Sequence, residues 1–316
     1  MNKTLLAGAW SVPLALAGAF WALGGPGVPL GRDDERGRNM GSVFATADPR
    51  VVGVTLAVIG LAGVATALAM RSRPRSTALP MAAMLLSLTL IVVVPDTRVL
   101  QNFGYLFMGF TGFWDKELAL MLYSILGGVL WAMAAWSARG HAARPPRWGR
   151  WVTYAAAVLA LPYGISRVAW AMGIPLGTTA GPLTDGSAAA AVEGAGRYSE
   201  LVLGGLCFVG AVLTLGLVQR WGEVFPRWIP LLRGRRVPIL LAVIPGALGA
   251  IMLIQPSVRL WIWWATGQVR MTADNWGEFG PGLFWLPWSL ALAAATYAYY
   301  TRRRVDMDSR PRLISA

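Results

Sequence analysis

The chain holds little of what soluble enzymes use for chemistry. It has one histidine, His141, one cysteine, Cys207, and two lysines, Lys3 and Lys116. These counts exclude bis-histidine haem ligation, HExxH, a Cys/His zinc cluster and an intrachain disulfide. Neither lysine stands in a GxxxxGK loop, which excludes a Walker-type NTPase. GGPGVPLG at 24–31 is glycine-rich but ends an apolar run and lacks the dinucleotide spacing. His141 lies in a basic stretch (SARGHAARPPR) and reads as a solvated loop residue, and Cys207, in an apolar run, reads as packing. No metal and no cofactor is expected.

Charge is scarce as well. Only 14% of the 316 residues are charged and 56% are hydrophobic, against about 25% charged in soluble domains. So few charges cannot cover a soluble globule of this size. The expected fold is all-α, a polytopic transmembrane helix bundle. Eight apolar runs approach the roughly 20 residues a bilayer core requires: about 4–26, 51–70, 78–95, 117–138, 152–174, 199–219, 238–255 and 281–300. The third and seventh are short and extendable. The first run has signal-peptide features, Lys3 and small residues near Ala17–Ala19, but its length, Trp10 and Trp21 favour a retained span.

The net charge of +13 follows topology. With the N-terminus inside, the inner segments hold 18 basic and 3 acidic residues, and the outer ones 9 basic and 12 acidic. That is the positive-inside pattern, with both termini cytoplasmic. The inner arginines attract anionic lipid. They are not a nucleic-acid footprint.

The chain repeats itself. GAFWALGGPGVPLG (18–31) matches RVAWAMGIPLG (167–177), pairing Trp21 with Trp170 at a shift of 149, which also pairs Arg71 with Arg220. VVVPDTRVL (92–100) matches MLIQPSVRL (252–260) at a shift of 161, pairing Pro95 with Pro256, Arg98 with Arg259 and Glu117 with Glu278. Four spans per half is an even number, so the eight spans form two tandem parallel four-helix repeats with a pseudo-twofold along the membrane normal. The expected divisions are a first repeat at 1–140, a cytoplasmic linker at 141–151, a second repeat at 152–301 and a basic tail at 302–316.

Among the loops, residues 31–50 are polar, and the Asp33-Asp34-Glu35 cluster, flanked by Arg32, Arg36 and Arg38, reads as solvated. Residues 177–198 are rich in small residues and read as a flexible outer loop. Residues 99–114 and 260–276 are aromatic and nearly uncharged, suited to interfacial or re-entrant segments on the outer rim. WGEVFPRWIPLL, on the inside, reads as an amphipathic interfacial piece anchored by Trp221 and Trp228.

Arg167 is the sharpest candidate. It lies deep in the fifth span, behind Pro162 and Gly164, where an arginine costs a few kcal/mol unless it meets a partner or water. Three readings stand: an anion-binding residue in a cavity, an internal ion pair, or a side chain that snorkels outward. Asp96, whose repeat counterpart is Ser257, either meets Arg167 or pairs locally with Arg98. Arg98 and Arg259, with Glu117 and Glu278, either clamp the outer rim as Arg–Glu pairs or line a pocket. If the protein is an enzyme, Asp96, Glu117 and Glu278 are its acids and bases. Nine of the 16 tryptophans fall where aromatic belts form. Trp261, Trp263, Trp264, Trp276, Trp285 and Trp288 form a denser set that either anchors or stacks a flat apolar ligand. The candidate ligand-binding set is Arg167, Asp96, Arg98, Arg259, Trp170, Trp263, Trp264 and Trp285.

The WALGG and RWGEVFPRWIP strings resemble polytopic integral membrane proteins of high-GC bacteria whose function is not established. The resemblance covers about a tenth of the chain. It implies a bacterial inner membrane and transfers no catalytic residue. The leading expectation is a protein that binds and moves a small amphipathic, anionic or lipidic molecule without ATP. The alternatives are an intramembrane enzyme acting on a lipid or isoprenoid, and a non-catalytic subunit of a membrane complex. The expected partners are membrane lipids, that small molecule and, in the third case, a second subunit.

Overall fold

The computed structural model describes residues 2–138, 145–178 and 196–308. The expectations for His141, for the segment 179–195 and for the tail beyond 308 lie outside the described residues. Every regular element among them is helical, apart from one isolated β-bridge, Val224 to Arg236. Six helices are long and apolar enough to cross a membrane: 3–22, 49–72, 116–138, 149–171, 196–216 and 239–265. A seventh is reached if a bent pair, Ala78–Val93 with Arg98–Leu106, counts as one span. The chain divides into two compact units, Met1–Ala142 and Ala143–Ala316.

In the first unit, α1 (Lys3–Ala22) is capped by Asn2, whose side chain accepts from the Thr4 N–H. Helix α3 (Pro49–Ser72) is capped by Asp48 and opens on Pro49, which has no N–H to leave unsatisfied. Their shared face is built from small residues. Gly18 lies against the Ala57 backbone and Gly60 against the Ala15 backbone, so closely that a Cβ at either has no room. Between apolar helices in lipid, such close approach replaces the hydrophobic drive that water supplies elsewhere.

The third run is not one straight helix. Helix α4 (Ala78–Leu88) passes into a π-helical turn (Thr89–Val93), breaks, and resumes as α5 (Arg98–Leu106) at 68°. Pro95 stands in the break and has no N–H to carry the helical bonding onward. Helix α6 (Lys116–Ala138) supports the irregular turn: Ser124 Oγ donates to the Leu90 carbonyl at 2.6 Å. Tyr123 donates to the Trp10 carbonyl and stacks on the Trp10 ring, and buried Trp131 donates to Ser11 Oγ.

In the second unit, α7 (Gly149–Leu159) and α8 (Leu161–Ala171) are one span interrupted at Ala160, just before Pro162. Helix α9 (Gly196–Gly216) packs on both. Helix α10 (Ile239–Ala265) runs ten residues past the expected end of the seventh run. Pro256 does not stop it, and Ser257 Oγ donates back to the Ile254 carbonyl within the helix. The segment from 260, expected on the outer rim, is thus helical in its first part. The eighth run is two helices, α11 (Trp276–Leu283) and α12 (Trp285–Asp308), and α12 is not among those apolar enough to count as a span. Helix α12 packs on α10 and α7.

The loop at 31–50 is more ordered than a solvated segment. It holds a short helix, α2 (Glu35–Asn39), capped by Asp34.

Candidate functional site

The first unit contains a buried ion cluster around Arg98. The break at Pro95 turns Asp96 and Arg98 inward, and both side chains are buried. Arg98 Nε donates to both oxygens of Asp96 at 3.0 Å. Its Nη1 donates to Asp34 at 3.0 Å, and its Nη2 reaches Asp34 at 2.5 Å and Asp96 at 2.6 Å. The Arg98 backbone N–H also donates to Asp96. Two carboxylates thus hold the guanidinium from both sides, tying α2 to the head of α5. The expected solvated Asp33-Asp34-Glu35 cluster is corrected here for Asp34, whose side chain is 7% exposed while Asp33 remains in solvent. Arg36 strengthens the same rim, pairing with Asp115 at 2.7 Å and lying over the Phe113 ring. The expected Arg98–Glu117 clamp gives way to this arrangement. Glu117 lies 3.8 Å from its neighbour Lys116.

The second unit holds Arg167 on α8. Its Nη1 donates to both carboxylate oxygens of Glu200 on α9, at 3.2 and 3.3 Å. Its guanidinium lies 4.2 Å from the Trp170 ring centre and 4.5 Å from that of Tyr163. Helical spacing explains the box: Tyr163 is four residues before Arg167 and Trp170 three after, so all three share one face. Trp170 is itself fixed, donating from Nε1 to the Leu176 carbonyl. Tyr163 meets Trp285 of α12 edge to face at 4.9 Å. Buried Cys207 packs beside Gly164, which leaves room for α9 to approach.

This centre is not fully satisfied. Arg167 Nε is buried without a hydrogen-bond partner, as are Trp285 Nε1, Trp288 Nε1 and Gln255 Oε1. The α10–α12 register is set by Ser289 donating to Ala250 and Trp261 donating to the Leu283 carbonyl. That register brings Gln255 to the level of Trp285–Trp288. A buried polar atom without a partner costs about 1–3 kcal/mol. Of these atoms, Arg167 Nε and Trp285 Nε1 belong to residues that both meet the Tyr163 ring, while Gln255 and Trp288 belong to the α10–α12 pair.

The remaining candidates fall elsewhere. Trp264 meets Trp261 edge to face at 5.5 Å near the end of α10, where Trp264 is exposed and Trp263 half-buried, and Arg259 lies on the same helix, half-buried. Glu278, opening α11, accepts from the Thr178 hydroxyl at 2.9 Å. Of the dense tryptophan set, only Trp285 joins the Arg167 box by a ring contact among the described residues. The expected Asp96–Arg167 pair gives way to two separate pairs, Asp96 with Arg98 and Arg167 with Glu200, each within its own unit. A surface groove of about 650 Å³ in the first unit is lined by Trp21, Arg32, Asp48 and Arg50, and by none of the candidate residues.

Tyr163, Glu200, Asp34 and Gln255 were not among the candidates. Glu200 had a readable signal: it lies four residues after the start of α9, as Arg167 lies four before the end of α8. Opposite charges at matching depth on consecutive spans are a pairing pattern.

Comparisons of the chain with protein-family models, with curated proteins and with solved structures give no match.

Proposed function

We propose that this is an eight-span membrane protein of two tandem four-helix repeats that binds and moves a small anionic amphiphile without ATP, with Arg167 at its binding centre. The observation that carries the reading is the incomplete satisfaction of Arg167. Its Nη1 is paired with Glu200 and two aromatic rings face the guanidinium, yet its Nε is buried without a hydrogen-bond partner, as is the indole N–H of Trp285, whose ring meets Tyr163. A carboxylate or phosphate supplies acceptors for Arg167 Nε and Trp285 Nε1, and the aromatic faces of Tyr163, Trp170 and Trp285 suit an adjoining apolar chain.

Movement is supported by the interrupted spans. The first unit carries a broken helix, 78–106, bent by 68°, and discontinuous helices are how many transporters place a site within the bilayer; in the second unit the 149–171 span changes helix at Ala160, just before Pro162. The repeat is supported by element boundaries. Ala78 starts α4 and, shifted by 161, falls on Ile239, which starts α10. The internal pairings also correspond. The first span of each half packs on the second and fourth, and the third packs on the fourth. A bacterial inner membrane with both termini cytoplasmic fits the distribution of arginines.

The enzymatic reading loses Asp96, which is locked by Arg98 and has no freedom to exchange a proton with substrate.

The test is native mass spectrometry of the protein released gently from its membrane, beside Arg167→Ala. Because Arg167→Ala leaves Glu200 buried without its cation, an Arg167→Met/Glu200→Leu double variant serves as a folded control. A discrete bound small molecule in the wild type, absent from both variants, supports the reading. Its flux across reconstituted vesicles then tests movement. Bulk phospholipid alone, unchanged in the double variant, overturns it and leaves Arg167–Glu200 as a structural pair.

A further inference from the structure

Between α9 and α10 the chain makes a small ordered excursion. Phe225 N–H donates to the Arg235 carbonyl, Gly234 N–H to the Phe225 carbonyl and Val237 N–H to the Glu223 carbonyl, at 2.9–3.1 Å. With the Val224–Arg236 bridge these make a short hairpin whose turn back depends on Gly234, at φ 72°. The roots are pinned to α12. Tyr299 donates its hydroxyl to the Gly222 carbonyl, Arg302 reaches the Leu217 carbonyl and Glu223, and Arg303 reaches the Val237 carbonyl. This is a fixed projection.

Its tip combines two chemistries. Trp228 is 79% exposed and Leu231 87%, with Leu232 beside them. Around them stand Arg227, Arg233, Arg235 and Arg236, all exposed. Across 220–236 there are five arginines and one acid, Glu223, and that acid is already engaged by Arg302. Both roots join helices apolar enough to cross a membrane, ending at Gly216 and starting at Ile239. The projection is therefore held at a membrane surface by covalent connection. An apolar and indole tip ringed by uncompensated guanidinium groups matches an anionic leaflet: acyl chains accept the tip and headgroup phosphates accept the ring.

We propose that the 223–237 hairpin is an anionic-phospholipid docking element. It inserts Trp228 and Leu231 into the leaflet at its own end of the helices, through Arg227, Arg233, Arg235 and Arg236. The site is separate from Arg167 and stands whether or not that centre binds a ligand. Each arginine brought near an anionic surface contributes about fivefold to attachment, so four together make docking depend steeply on lipid charge and on salt.

The experiment places a polarity-sensitive fluorophore on Leu231→Cys in a Cys207→Ala background, with the full chain in lipid nanodiscs. One set is neutral phosphatidylcholine, and the other contains phosphatidylglycerol. The expected result is a blue shift and loss of aqueous quenching only with phosphatidylglycerol. High salt reverses it, and R227Q/R233Q/R235Q/R236Q abolishes it. Insertion that is equal in both lipids overturns the role of charge. A label in water in both lipids overturns docking altogether and leaves the surface to a protein partner. Unchanged quenching of a second label at Val224→Cys, at the hairpin root, shows that the quadruple variant keeps the fold.

Discussion

Arg167 and Glu200 meet at equal depth on two consecutive antiparallel helices, four residues from the end of α8 and four from the start of α9. Helices α8 and α9 approach closely there because Gly164 and Gly204 face each other. The pair thus results from backbone packing that small residues permit. Its side chains are 14% and 10% exposed, so each charge depends on the other. Removing one partner of such a pair costs about 3–5 kcal/mol, while replacing both with apolar residues is often neutral. Arg167→Met is therefore expected to lower stability by that amount, and Arg167→Met/Glu200→Leu to restore most of it. Thermal unfolding of the two purified variants in detergent checks this. A single variant as stable as wild type would falsify the burial argument.

The Arg98 cluster gives a second stability prediction, with a different site of failure. Asp34 reaches Arg98 across 64 residues of sequence and also caps α2, whereas Asp96 is two residues away from Arg98. Asp34→Asn keeps the cap but weakens the long-range tie, so it should loosen the rim at 31–48 and leave the helix bundle intact. Arg98→Ala leaves two buried carboxylates facing each other and is expected to cost about 3–5 kcal/mol. Hydrogen exchange resolved by segment distinguishes them: faster exchange confined to 31–48 for Asp34→Asn, and a spread into α5 for Arg98→Ala.

What was legible in the sequence divides along the same line. Length and apolarity place the helices, because a span needs only its own residues to declare itself. Pro162 marks the break before α8 and Pro95 the break before α5, and both act locally. The Asp96–Arg98 pairing is local and readable for the same reason. Asp34 was hidden because its neighbours Arg32, Arg36 and Arg38 offer nearer counter-charges, and only the folded chain shows that Arg98 takes it. The seventh run, short and extendable in the sequence, extends to Ala265 because Pro256 removes only one helix bond and the helix continues through it. The expected eighth span falls on α11 and α12, and the tyrosines, tryptophans and arginines of α12 lower its apolarity, while its main partners are α7 and α10.

Glycines on the first unit's helices should be intolerant where they meet backbone. Gly60→Leu drives a side chain into the Ala15 backbone, so the α1–α3 pair must separate. Gly205 and Gly210 on α9 have nothing within 4 Å, and alanine there gains about 1 kcal/mol of helix propensity at no steric cost. Size-exclusion profiles of membrane-extracted variants should show loss of the monodisperse peak for Gly60→Leu. Gly205→Ala and Gly210→Ala should match wild type or exceed it in melting temperature.

Gln255 separates a structural from a binding role most sharply. It is 4% exposed on α10, at the level of Trp285 and Trp288, and its Oε1 has no hydrogen-bond partner. A buried acceptor left unsatisfied opposes folding by about 1–3 kcal/mol, so a purely structural position would be better served by leucine. Gln255→Leu is therefore expected to raise the melting temperature of ligand-free protein. If a hydroxyl of the bound amphiphile donates to this acceptor, the same variant must also retain less of that molecule in native mass spectra. Gain of stability with loss of ligand is the expected pair of outcomes, because a site keeps an unfavourable polar group only where a ligand repays its desolvation. Gain of stability with unchanged ligand would place the binding centre on the α8 and α9 side, at Arg167, Tyr163 and Trp170, without α10.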